Sequence, residues 1–181
     1  MSGGKSTRMG KDKGLILYHD GKPQRQHVFD LLSGCCENVY ISCRPEQRVA
    51  EALQPLEDHY AFDGPINGIL SAFHRHPDKA WLVMAIDLPN ITAATLQILL
   101  SHRNPTRLAT CFLDVKAGAP EPMLALWEPA AFPRLLKNAK AGNISPRAFL
   151  KTEDVTRIES QDENLFLNVN YPEQMKEAGG S

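Results

Sequence analysis

The chain has 181 residues, the length of about one domain, and 43% of them are hydrophobic, enough for a buried core. Twenty Lys plus Arg against 21 Asp plus Glu leave a net charge of −1, which gives no general reason to expect a nucleic-acid partner. No apolar run reaches the ~18 residues of a membrane span, no apolar leader follows Met1, and Cys35, Cys36, Cys43 and Cys111 form no Cys-x-x-Cys pair, so reduced thiols and a cytoplasmic location without membrane contact are expected.

The predicted elements begin with a loop, Ser2-Gly3-Gly4-Lys5-Ser6-Thr7-Arg8-Met9-Gly10-Lys11-Asp12-Lys13, and a hairpin turn at Tyr18-His19-Asp20-Gly21. Pro23 to Leu32 reads as a helix with Val28, Leu31 and Leu32 on one face. Val39 to Cys43 is a short strand, Gln47 to Leu53 a short helix, and Pro65 to Phe73 a helix with Ile66, Ile69, Leu70 and Phe73 spaced by three and four. Trp81 to Ile86 is continuously apolar, as in a strand buried on both faces. Thr92 is a candidate N-cap for a helix carrying Leu96, Leu99 and Leu100. Strands follow at Leu108 to Leu113 and Met123 to Trp127, helices at Pro129 to Ala139 and Pro146 to Leu150, a weaker strand at Asp154 to Glu159, and a last short helix at Pro172 to Lys176. Strands alternating with helices predict an α/β fold: one three-layer α/β/α domain over residues 1–181, with a mainly parallel sheet. Ligands then bind beyond the carboxyl ends of the strands. The histidines have no matching ligand set and receive no chemical role.

The opening loop carries the most chemistry. Its three glycines let backbone N–H groups approach an anion, Ser6 and Thr7 add hydroxyl donors, and Lys5, Arg8, Lys11 and Lys13 supply four cations. That combination suits a nucleoside triphosphate, which carries about four negative charges. Gly4-Lys5-Ser6 also matches the end of a P-loop, although two glycines and no apolar stripe follow it, where a P-loop leads into a long amphipathic helix. A loop of this kind normally follows a strand, so the first strand of the fold is expected to be missing from this chain.

Three further features point the same way. Asp87 ends the most apolar strand and is placed to ligate one Mg²⁺, a hard cation that bridges phosphates. Asp63-Gly64-Pro65, with Gly68 behind it, opens a helix where a base or ribose can lie against the backbone, and the Asp63 carboxylate can accept from guanine N1–H and its amino group, or from a ribose hydroxyl. Asn168 and Asn170 alternate, so on an extended segment both face one side and offer amide oxygens.

Five landmarks in order resemble the molybdenum cofactor guanylyltransferases, nucleotidyltransferases of Rossmann-like fold. They are the Gly3–Lys13 loop, Leu15-Ile16-Leu17 with Gly21-Lys22-Pro23, Asp63-Gly64-Pro65-Ile66-Asn67-Gly68, Ala85-Ile86-Asp87-Leu88-Pro89, and Asn168-Val169-Asn170-Tyr171-Pro172-Glu173. The resemblance implies GTP and a molybdopterin-type cofactor as substrates, Mg²⁺ as cofactor, and contact with other proteins of that pathway. It assigns the triphosphate to Gly3, Gly4, Lys5, Ser6 and Arg8, charge at the α-phosphate to Lys13, the nucleoside to Asp63, Gly64 and Gly68, and the metal to Asp87 and Asn170. It also puts Arg147 on the side of the second substrate. The catalytic set is Lys13, Arg8 and Asp87. Glu121-Pro122 stands where His-Pro is frequent, Ser2 where alanine is usual, and Tyr171 where Thr is frequent. Cytidylyl transfer, nucleotidyl transfer to a sugar phosphate, and a non-catalytic nucleotide-binding module remain open on these residues.

Overall fold

The computed structural model describes residues 23–160 together with 165 and 166. Proline at the N-cap starts α1 (Gln24–Ser33), as its fixed φ and missing N–H allow. β1 (Ile41–Cys43) and β2 (Pro55–Glu57) pair in parallel, Ser42 opposite Leu56. Between them the predicted helix from Gln47 shrinks to a single 3₁₀ turn, Glu51–Leu53, ended by Gln54 at φ 47° and by Pro55, which cannot continue a helix. Then follow α2 (Ile66–Arg75), β3 (Trp81–Met84), α3 (Ala93–Ser101), β4 (Ala109–Asp114), β5 (Ala119–Trp127), α4 (Ala131–Lys140), α5 (Pro146–Thr152) and β6 (Thr156–Glu159). Thr92 caps α3 as expected, its hydroxyl accepting from Thr95 N at 3.3 Å.

The larger sheet has the order β3-β5-β4-β6. β4 and β6 are parallel, while β5 runs antiparallel to both β3 and β4. The α/β class therefore stands, with parallel pairs in both sheets, and the larger sheet is mixed because no helix intervenes between β4 and β5. Strand alternation splits the core into two layers. Val83, Cys111 and Ala125 face α2, α4 and α5 through Ile69, Phe73, Leu135 and Phe149. Met84, Phe112 and Leu124 face α1 and α3 through Val28, Leu32, Leu96 and Leu99. This is the expected three-layer arrangement. Among the described residues no helix is long and apolar enough to cross a membrane.

Candidate functional site

β3 is two residues shorter than its apolar run. Ala85 N still reaches Met123 O at 2.8 Å, and the chain then turns, carrying Asp87 past the strand end. Buried Ala85, Ile86, Leu88 and Ile91 surround that half-exposed acid in sequence, so the turn is anchored by apolar packing. α2 connects to β3 through a short turn and packs against it, so the start of α2 lies at the same end of the sheet as Asp87. That end receives Asp63 and Gly64, both exposed. Gly64 sits at φ +79°, a conformation that L side chains rarely adopt, with nothing within 4 Å of an added Cβ. Gly68 is buried in the first turn of α2.

Because β5 is antiparallel, its beginning meets the carboxyl ends of β3 and β4. It brings Glu121, 8% exposed, to the region of Asp87 and Asp114. Glu121 Oε1 accepts from Met123 N at 2.9 Å, and Oε2 accepts from Arg147 Nη2 at 2.6 Å. Burial pushes the Glu121 carboxyl above its ordinary range. The Met123 amide and the Arg147 guanidinium pull it back, and the charges of Asp114 and Asp87 add to the upward shift. Arg147 thus stands at this end of the sheet, held by a buried carboxylate that the sequence marked only as a departure from His. Pairing across 26 positions leaves no trace in local sequence.

Gly3, Gly4, Lys5, Ser6, Arg8, Lys13 and Asn170 lie outside the described residues, as do Asn168, the hairpin turn at 18–21 and the helix predicted from Pro172. Among the described residues no group of three His, Cys, Asp or Glu side chains comes together as a metal centre. The donor set on view fits a single-carboxylate site at Asp87. Mg²⁺ accepts that arrangement, because it keeps waters and takes substrate phosphate oxygens for the rest.

A cavity of about 530 Å³ opens at the opposite, amino end of the sheet, lined by Leu32, Tyr40, His76, Trp81 and Arg103 among others. Among the described residues, Asp63, Gly64, Asp87, Glu121 and Arg147 do not line it.

The MobA-like NTP transferase domain family matches residues 1–160. A "molybdenum cofactor biosynthesis bifunctional protein" of Synechocystis is 36% identical over 178 residues, covering 96% of this chain and 50% of that protein, so the chain spans half of that relative's length. A molybdenum cofactor guanylyltransferase of Pseudomonas aeruginosa is 33% identical, covering 96% of this chain and 89% of that one. The crystal structure of molybdopterin-guanine dinucleotide biosynthesis protein A from Archaeoglobus fulgidus superposes with a TM-score of 0.79 at 23% identity, over 98% of this chain and 93% of that chain, a likeness of fold. The chain belongs to the MobA-like NTP transferase family.

Proposed function

We propose that this protein transfers GMP from GTP to the terminal phosphate of a molybdopterin-type cofactor and releases pyrophosphate. The observation that carries the proposal is the family match over residues 1–160, which includes Asp63–Gly68 and Asp87. The placement of both segments at one end of the sheet supports it.

A phosphate oxygen of the acceptor attacks the α-phosphorus in line. The new P–O bond forms as the bond from the α-phosphorus to the bridging oxygen breaks, and the electron pair leaves with pyrophosphate. The nucleophile is already an anion, so the protein supplies position and positive charge rather than a strong base. Gly3, Gly4, Lys5, Ser6 and Arg8 hold the triphosphate, and Lys13 faces the charge that builds at the α-phosphate. Asp63 and the Gly64 peptide take the guanine and ribose, with Gly68 beneath them. Arg147, steadied by Glu121, faces the acceptor phosphate. Asp87, with Asn170, would hold Mg²⁺, which would supply positive charge to the phosphates. The reading places the chain in the cytoplasm, as a single domain over residues 1–181, beside other enzymes of the cofactor pathway.

A thermal-shift panel of GTP, CTP, ATP and UTP with Mg²⁺ tests the reading. Ligand at ~100 times its Kd adds about 2.7 kcal/mol to the native state, so GTP alone raises the melting temperature by several degrees. Pyrophosphate then appears only when cofactor is added. Stabilisation by CTP instead assigns the cytidylyl reaction. Nucleotide binding without pyrophosphate release assigns a non-catalytic module, and phosphate release from nucleotide alone assigns a hydrolase.

A further inference from the structure

The segment 58–65 is fastened to α2 by polar side chains that the apolar pattern of the helix does not reveal. Asn67, 6% exposed, is the second residue of α2. Its Nδ2 donates to Tyr60 O at 2.6 Å, and its Oδ1 accepts from Tyr60 N at 3.1 Å. One side chain therefore satisfies both backbone groups of Tyr60, as a neighbouring strand would. Ser71, 2% exposed and one turn further on, accepts from His59 N at 2.8 Å and donates to Asn67 O at 2.7 Å. Each of these groups is costly to leave unpaired when buried, by ~1–3 kcal/mol. Tyr60 and Phe62 pack against the core cluster beneath, and their rings stack at 5.8 Å. The stretch from Tyr60 to Asn67 is thereby closed on itself, and Asp63 and Gly64 stand exposed at its tip.

We propose that Asn67 is a positioning residue for nucleobase selection: through Tyr60 it fixes the carboxylate of Asp63 and the Gly64 peptide over the start of α2. The proposal rests on the reading that Asp63–Gly68 receives the base. Two hydrogen bonds from one carboxylate to N1–H and the 2-amino group of guanine require fixed direction, and a displacement of ~1 Å loses most of their benefit. An amide suits the clamp because it offers a donor and an acceptor in one plane. Aspartate accepts from Tyr60 N but repels Tyr60 O, and alanine does neither.

The test compares GTP with ITP, which lacks the 2-amino group and so keeps one of the two bonds to Asp63. Calorimetric affinities are measured on the full chain, below the melting temperature of each variant. Wild type prefers GTP by about tenfold, the worth of one hydrogen bond to a charged group. In N67A and N67D, GTP weakens by about tenfold while ITP changes far less, so the preference collapses. S71A, which removes only the brace behind Asn67, shows the same loss at smaller size and serves if N67A does not fold. A folded N67A that keeps the wild-type GTP-to-ITP ratio overturns the proposal. Wild type that binds both nucleotides equally overturns the Asp63 contact and the proposal with it, and wild type that binds neither overturns the proposed function itself.

Discussion

The two ends of the four-stranded sheet are built for different ends. Where β3 and β4 begin, the rings of Tyr40, His76 and Trp81 line an open cavity together with Glu37, Asp78, Lys79 and Arg103. Tyr40 lies 5.7 Å from the Trp81 ring, and the guanidinium of Arg75 stands 5.6 Å from the Tyr40 centroid. Arg103 grips Glu128 there in a two-point ion pair at 2.7 and 2.9 Å. Burial pushes the Cys36 thiol beside that cavity up to about 12, with Cys35 adding to the shift, so it is a poor nucleophile at neutral pH. Where β3 and β4 finish, side chains with charge and hydrogen-bonding capacity converge: Asp87, Asp114, Glu121 and Arg147. The difference lies in charge: one end pairs Arg103 with Glu128 beside aromatic rings, while the other gathers the carboxylates of Asp87, Asp114 and Glu121, the last paired with Arg147. In an α/β sheet ligands bind beyond the carboxyl ends of the strands, so strand direction marks the second end as the one to test.

Variants at the two ends sharpen this contrast. The largest effect belongs to Asp87→Ala and Lys13→Ala. Each lowers turnover by more than about 100-fold, the scale of losing a preorganised charge at a reacting phosphate, while the unfolding midpoint stays near that of wild type. Pyrophosphate release under saturating GTP measures it, and full turnover in either variant removes that residue from the mechanism. Next comes Arg103→Ala at the opposite end. It strands the Glu128 side chain, 3% exposed, without its guanidinium. A buried carboxylate left alone costs several kcal/mol, and with Arg103 itself 42% exposed the loss is about 2–3 kcal/mol in urea unfolding. GTP affinity should not move by more than about twofold. If it does, the two ends are coupled and the division drawn above fails.

The smallest effect is a slope. The Glu121 carboxyl is raised in the folded protein relative to its ordinary value of 4.5. As pH climbs past 4.5 the unfolded chain releases this proton first, so the contribution of Glu121 to stability is present below that pH and is lost as pH rises through the folded value. Glu121→Gln removes that decline. Subtracting its stability-versus-pH curve from that of wild type should leave a difference that falls with rising pH. A difference that rises instead means that the Arg147 contact outweighs burial.

Much of the frame was legible because each element announced itself locally. Thr92 followed by a leucine-rich stretch marked α3 and its cap. The apolar run from Trp81 marked β3, although its last two residues belong to the turn, since only hydrogen bonding decides where a buried run stops being a strand. β2 escaped notice: three residues with a single buried side chain, Leu56, carry too little pattern to separate from a loop. The helix expected from Gln47 was lost at its front, where Ala50 is extended and leaves only the turn Glu51–Leu53. The placement of Asp87 past a strand and of Gly64 in a turn was readable from the strand end and the turn chemistry. Asn67, Ser71 and Glu121 were not, because their partners are chosen by tertiary geometry. A polar residue on an apolar helix face looks like an interruption until the segment it holds is folded over it. Glu121 looked like a mere departure until Arg147 arrived from α5.

The antiparallel course of β5 has a consequence for how the chain reaches its native state. A hairpin of β4 and β5 needs only the few residues between Asp114 and Ala119 to close, so its contacts form at small loop-closure cost. Since β5 also carries the edge on which β3 docks, and β4 the edge for β6, this ribbon serves as a template at the middle of the four strands seen among the described residues. Chain collapse can begin there, from near neighbours in sequence, and the distant strands β3 and β6 add to its two sides afterwards.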